Sequence, residues 1–167
     1  MDAVSLGVRR ARASDAEQVA KFVNRAYNGQ IRIDRDAVIA RLGDVGFFLA
    51  EEDAALGGLL GWHVENLVVS VTDLVIWPPS DHQRVGRTLF SAMERAATDL
   101  QAEVAILFVP AGCPSEMSSF LESLGYVARA VEDLPSAWRE VAYRAGRDDD
   151  EGIPLKELRP DRVLRPL

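Results

Sequence analysis

The spacing of apolar residues along this chain changes period several times, and each change marks an element. Val8 to Ala11 reads as a short strand, and Ser14-Asp15-Ala16-Glu17 has the form of a capping box opening a helix with an apolar face of Val19, Phe22, Val23, Ala26 and Tyr27. After Asn28-Gly29 a second helix starts near Asp34, carries Ala37, Val38 and Leu42 on one side, and ends at Gly43. The period then shortens. Phe47 to Glu51, Leu59 to about Glu65 and about Thr72 to Trp77 are β-rich stretches, the first two separated by the turn-like Asp53 to Gly58, and together they read as an antiparallel meander. Pro78-Pro79 stops the third strand, because proline has no N–H to give a ladder.

Beyond Ser80 to Arg84 a third helix is expected, with Val85, Leu89, Ala92, Met93, Ala96 and Leu100 at helical spacing as its core-facing stripe. Val104 to Val109 is nearly all apolar, the pattern of a strand buried on both faces, and reaching it through a helix implies a parallel crossover from the preceding strand. Pro114 to Leu124 forms a fourth helix with Met117, Phe120, Leu121 and Leu124 inward and Gly125 as its cap, followed by a strand from Tyr126 to about Val131. Leu134, Trp138, Val141, Ala142 and Ala145 predict a further helix from about Pro135 to Ala145. The acidic run Asp148 to Glu151 reads as a solvated loop and Ile153 to Leu158 as a last strand. The arginine-bearing segment Arg159 to Leu167 is then an extended tail, available to dock on a second subunit in a homodimer. One α+β domain over residues 1–158 and a tail over 159–167 is the expected organisation.

Composition narrows the function classes. A chain of 167 residues, 48% of them hydrophobic, suits a single core. A formal net charge of −7 argues against a nucleic-acid binder, which needs a concentrated basic surface. The same charge keeps a domain dispersed in solution and favours a cationic substrate over an anionic one. No apolar run approaches the roughly 18 residues that span a bilayer, and the first residues lack a signal-peptide pattern, so the expected location is cytoplasmic and away from membranes. Cys113 has no partner for an intramolecular disulfide, and two histidines with one cysteine at scattered positions show no metal-ligand spacing.

The element order is specific, and several segments sharpen it. Asp73-Leu74-Val75-Ile76-Trp77-Pro78, Val85-Gly86-Arg87-Thr88-Leu89 and Phe120-Leu121-Glu122-Ser123-Leu124-Gly125-Tyr126 are similar to the fourth strand and its exit, the second half of the cofactor loop, and the last helix end of the GNAT superfamily of acyl-CoA N-acyltransferases. The chain resembles that family over nearly its whole length. The resemblance implies a mixed, mainly antiparallel central sheet flanked by helices, with parallel fourth and fifth strands splayed apart, here Thr72 to Trp77 and Val104 to Val109. It implies acetyl-CoA or another acyl-CoA as co-substrate and a small-molecule or peptide primary amine as acceptor. The backbone of Ile76 and Trp77 would then meet the pantetheine, and Arg84, Val85, Gly86, Arg87 and Thr88 would lie where the pyrophosphate binds. A helix start suits that anion because its first amides lack internal partners. Three positions depart from the family pattern: Asp81 replaces the leading Arg or Gln of the loop, Arg84 its first Gly, and Leu121 the tyrosine that serves many members as acid. These departures suit an alternative in which the domain is a catalytically inactive GNAT-like module that binds a ligand or partner.

Acyl transfer to an amine needs a group that removes a proton from the nucleophile. Asp73 and Glu65, on the central strands, are the candidate bases, each with solvent-facing placement as its plain alternative. His63, two residues from Glu65, is a further candidate or a structural histidine. Cys113, ahead of the fourth helix, has no histidine placed in sequence to activate it, and Trp62, Trp77, Trp138 and Tyr126 read first as packing residues.

Overall fold

A computed structural model of the chain describes residues 5–108, 115–146 and 152–159. Cys113, Pro114, the acidic run from Asp148 to Glu151 and tail residues 160–167 lie outside the described residues. The contacts divide the chain into two compact units, one built from residues up to His63 with Asp73–Met93, the other from Val64–Thr72 with the residues from Glu94 on.

In the first unit, β1 (Gly7–Arg10) pairs antiparallel with β2 (Gly46–Glu52), and β2 with β3 (Ala55–Glu65). Asp53 and Ala54 join β2 to β3 with positive φ at both positions, 52° and 64°, which matches the twist of a tight hairpin without any glycine. Ala50 faces Gly58 while Glu51 faces Leu56, so Gly57 is an extra residue that bulges β3. Helices α1 (Ala16–Ala26) and α2 (Arg35–Asp44) form a core with the sheet through Ala16, Val19, Phe22, Val38, Leu49 and Leu59.

The start of α1 differs from the expected capping box. A 3₁₀ turn, Ala13–Asp15, leads into it, and the Asp15 carboxylate accepts from the Arg12 N–H at 2.7 Å and from both terminal nitrogens of Arg9 at 2.8 Å. The Arg9 hydrogen bond is the largest influence on that carboxylate and draws its pKa down to about 2. Tyr27, assigned to the inner face by spacing, is exposed, and Ala20 is buried in its stead. Asp34 caps α2 by accepting from the Ala37 N–H at 2.8 Å, and Gly43 sits inside that helix, not at its end.

Two further elements pass from one unit to the other: β4 (Val68–Ile76) and α3 (His82–Asp99). β4 begins four residues earlier than its sequence pattern suggests, directly after a two-residue turn at Asn66-Leu67 with φ of 53° and 64°. The buried stripe of α3 is Val85, Leu89, Phe90, Met93 and Ala97, while Leu100 lies beyond the helix end and is exposed.

The second unit is built on the parallel ladder of β4 with β5 (Val104–Leu107), from Val68↔Val104 to Val71↔Leu107. The segment of β4 that makes this ladder is the one the sequence pattern leaves out. After α4 (Ser115–Ser123), β6 (Val127–Arg129) and α5 (Ser136–Arg144), the last strand β7 (Ile153–Glu157) inserts antiparallel between β5 and β6. Its core gathers Val68, Val104, Ile106, Val131, Leu134, Trp138, Val141, Ile153 and Leu155. Gly125 follows α4 with φ of 96°, the left-handed conformation a helix end favours in glycine. The hydrogen-bonded strand order is β1-β2-β3-β4-β5-β7-β6, mixed and mainly antiparallel, so the chain is α+β as its sequence predicts. Among the described residues no helix is long and apolar enough to cross a membrane.

Candidate functional site

The chemistry-bearing segment of the first unit is the end of β4 and the start of α3. The backbone here breaks its alternation. The Val71 carbonyl accepts from the Phe108 N–H at 2.8 Å, whereas the Trp77 N–H donates to the Gly57 carbonyl at 3.1 Å. In a regular strand, residues an even number apart aim their peptide groups at the same edge. Val71 and Trp77 are six apart yet bond to the strands on opposite sides of β4, so one residue between them stands out of register as a bulge. Of the expected pantetheine contacts, Trp77 therefore turns its N–H to β3.

After Pro78 a 3₁₀ turn, Pro79–Asp81, runs straight into α3 at His82. The helix thus starts earlier than a loop through Arg84 would allow. The α-helical bond rule pairs the Gly86 and Arg87 N–H groups with the carbonyls of His82 and Gln83. The Asp81 and His82 N–H groups donate to Pro78 and Pro79 carbonyls, which leaves Gln83 and Arg84 as the amides of the first turn beyond those bonds. Val85 is buried beside Gly58, and the Thr88 hydroxyl donates to the Arg84 carbonyl at 2.9 Å. The Arg84 guanidinium donates to Glu52 at 2.5 Å and lies 3.5 Å from Asp81. The Glu52 hydrogen bond, ahead of the nearby carboxylate charges, raises the Arg84 pKa. Two of the three departures seen in sequence, Asp81 and Arg84, thereby answer each other.

Asp73 sits across from Gly61 of β3, where a side chain would collide: an added Cβ would lie 2.6 Å from Asp73 Oδ2 and 2.8 Å from the Phe47 ring. Glycine leaves room for the carboxylate, and Arg41 from α2 donates to Oδ2 at 2.9 Å. His63 lies two residues along the same face of β3. Its Nδ1 is closed off from solvent and has no hydrogen-bond partner. Burial, and then the Arg41 charge, lower the pKa of His63 against the opposing pull of Asp73, so its ring is neutral at pH 7. Sequence spacing singled out Asp73 but carried no sign of the arginine that holds it.

Glu65, the other candidate base, belongs to the second unit, where Arg144 of α5 donates to it. Tyr126 is buried, and its hydroxyl donates to Glu94 at 3.0 Å; the same carboxylate accepts from Lys156 at 3.0 Å. Burial, with the Glu94 charge second, pushes the Tyr126 pKa far up, which suits a packing residue and not a proton donor. Leu121 is buried in α4. Trp138 is buried and donates to Glu103 at 3.2 Å, and Trp62 stacks on Phe48 at 5.7 Å between ring centroids. Among the described residues no cluster of histidine, cysteine and carboxylates suits a metal ion.

No protein-family model matches the sequence, and a search of curated proteins returns no match. Solved structures do. A GNAT-family acetyltransferase from Staphylococcus aureus Mu50 superposes with a TM-score of 0.70 at 14% identity, over 93% of this chain and 100% of that one. The ribosomal-protein-S18-alanine N-acetyltransferase of Escherichia coli gives 0.68 at 13% identity, over 98% and 100%. The PaiA N-acetyltransferase of Thermoplasma acidophilum, solved in complex with coenzyme A, gives 0.64 at 15% identity, over 92% and 99%. The chain has the GNAT acetyltransferase fold.

Proposed function

We propose that this chain is an acyl-CoA-dependent N-acyltransferase that moves an acetyl or other acyl group to a primary amine by direct attack. The observation that carries the reading is the course of β4: it outruns its parallel ladder with β5, bulges, and delivers the chain into the first turn of α3, in the fold whose Thermoplasma member holds coenzyme A. The Asp73–Ile76 stretch of β4 would take the pantetheine. The Gln83 and Arg84 amides with the Arg84 and Arg87 guanidiniums have the donor chemistry for the pyrophosphate. Bound acyl-CoA supplies the thioester carbonyl. The work left to the protein is to orient the amine and remove its proton. A location in the cytoplasm fits a donor of this kind.

Titrating acetyl-CoA into the purified protein tests the proposal. Heat of binding and release of free thiol with a primary amine present are expected, and no heat or thermal shift at millimolar acetyl-CoA would overturn it. The hold of Glu52 and Asp81 on Arg84 favours a second reading, a non-catalytic module, because two carboxylates at the helix start oppose a pyrophosphate. That reading expects binding neither in the wild type nor in Glu52→Gln.

A further inference from the structure

Along one side of α1 stand Gln18, Lys21, Phe22 and Arg25, at the i, i+3, i+4 and i+7 spacing that aligns side chains on a helix. With Ala55 and Leu56 of β3 they enclose a recess of about 340 Å³, at the small end of the range for ligand pockets. Gln18 ties its two walls together, because its Nε2 donates to the Ala54 carbonyl at 3.2 Å. Phe22 is buried and Leu56 half-buried, so the floor is apolar. The rim is cationic. Lys21 and Arg25 are one turn apart, a like-charge spacing that destabilises a helix, and no carboxylate lines the recess. Glu17 comes within 3.4 Å of Lys21, but the two side chains are 77% and 71% exposed, so this pair restrains Lys21 little. Among the described residues Arg25 has no ion-pair partner; it lies in the last turn of α1, where the negative end of the helix dipole offsets its charge without occupying its N–H donors. The positive charge is also local. From Gln18 to Ile33 the chain holds Lys21, Arg25 and Arg32 and no acidic residue, against a formal net charge of −7 overall.

We propose that this recess binds a small amphipathic anion, a carboxylate or a phosphate monoester carried on an apolar body the size of a single ring. Lys21 and Arg25 take the anionic head between them, which relieves their mutual repulsion, and the planar donor fork of Arg25 suits either oxyanion. Phe22 and Leu56 cover the body and remove its apolar surface from water. An inorganic ion alone would leave that floor bare, and a neutral apolar molecule would gain nothing from the two cations. Because the rest of the chain is acidic, the attraction comes from these neighbouring cations and is sensitive to salt. The amides and guanidiniums at the start of α3, those of Gln83, Arg84 and Arg87, are not among the residues that line the recess. The site is therefore separate from the proposed pyrophosphate contacts and stands whether or not acyl-CoA binds.

An NMR titration of the full chain tests this, with benzoate and phenyl phosphate as probes and benzyl alcohol as their neutral counterpart. Saturable shifts at the amides of Lys21, Phe22, Arg25 and Leu56 are expected at millimolar benzoate or phenyl phosphate, and the tighter of the two probes names the head group. Benzyl alcohol should bind about tenfold more weakly than the better probe. Added salt should weaken that probe severalfold in the wild type. The surface double variant Lys21→Gln with Arg25→Gln, its fold checked by thermal unfolding, should lose about tenfold or more in affinity, whereas Lys21→Arg, which keeps the charge, should stay within about threefold. The proposal falls if no saturable shift develops at millimolar probe, if the shifts are confined to Gln83 to Arg87 at the start of α3, or if benzyl alcohol binds as tightly as the anions. Equal affinity in the folded double variant would overturn it as well.

Discussion

Replacing Gly61 with alanine puts the geometry around Asp73 under direct strain. The new methyl carbon would stand 2.6 Å from Asp73 Oδ2, 2.8 Å from a Phe47 ring carbon and 2.9 Å from Asp73 Cβ, all closer than real contacts allow. The carboxylate is the part able to swing away, and doing so breaks its bond to Arg41; Phe47 is buried and has little room. Overpacking of this kind costs about 1–3 kcal/mol, and a partly exposed ion pair adds at most about 1 kcal/mol. At roughly 2–4 °C per kcal/mol for a chain of this size, the combined cost of about 1–4 kcal/mol means Gly61→Ala should lower Tm by about 2–16 °C. The informative assay is a double-mutant cycle by thermal unfolding. In an Asp73→Ala background the closest clash is gone, so the alanine should cost distinctly less. A Tm within 1 °C of wild type, or an equal cost in both backgrounds, would show that Asp73 does not occupy the space glycine leaves.

Three other outcomes follow from contacts described above. Trp138→Phe removes the donor to the buried Glu103, whose other oxygen already lacks a partner, and should cost about 1–3 kcal/mol in urea unfolding, whereas Trp138→Phe in a Glu103→Leu background should cost clearly less. The depressed pKa of Asp15 means its contribution is complete above the ordinary carboxylate value of 3.8 and is lost as pH falls toward 2; the gap in Tm between wild type and Asp15→Asn should therefore be constant from pH 7 to about 5 and shrink below 4. Glu52→Gln frees Arg84 from its closest carboxylate, so acetyl-CoA should bind severalfold more tightly by calorimetry, with a steeper dependence on salt; equal affinity would mean that Arg84 does not face the phosphates.

Elements whose own residues decide their form were legible from the sequence. The apolar run at Val104, the stripe from Val85 to Met93 and the glycine after α4 each carry a local signal, and each matches an observed element. The first half of β4 escaped notice because its entry turn uses Asn66 and Leu67 at positive φ, where the familiar marker would be glycine. Asn66 was the faint clue, since asparagine tolerates that conformation better than most residues. The stripe of α3 drifts, so spacing carried on from Leu89 named Ala96 where the helix buries Ala97. Pairings such as Arg41 with Asp73 and Glu52 with Arg84 each bridge 32 residues of chain, and the folded backbone alone brings them together. The sealed nitrogen of His63 is likewise a property of its surroundings.

The place of β7 has a consequence for synthesis. Among the described residues β6 has only the last strand as its ladder partner, and the antiparallel neighbour of β5 is that same strand. While the ribosome is still making the residues before Ile153, β5 therefore offers an open, wholly apolar edge and β6 has nothing to join. The second unit must wait until Ile153–Glu157 has been made, whereas the hairpin of β2 and β3 can close as soon as it emerges. Nascent chains stalled or cut between residues 108 and 152 should thus be the form most in need of a chaperone, and a fusion placed after Glu157 should be tolerated better than one placed before Ile153.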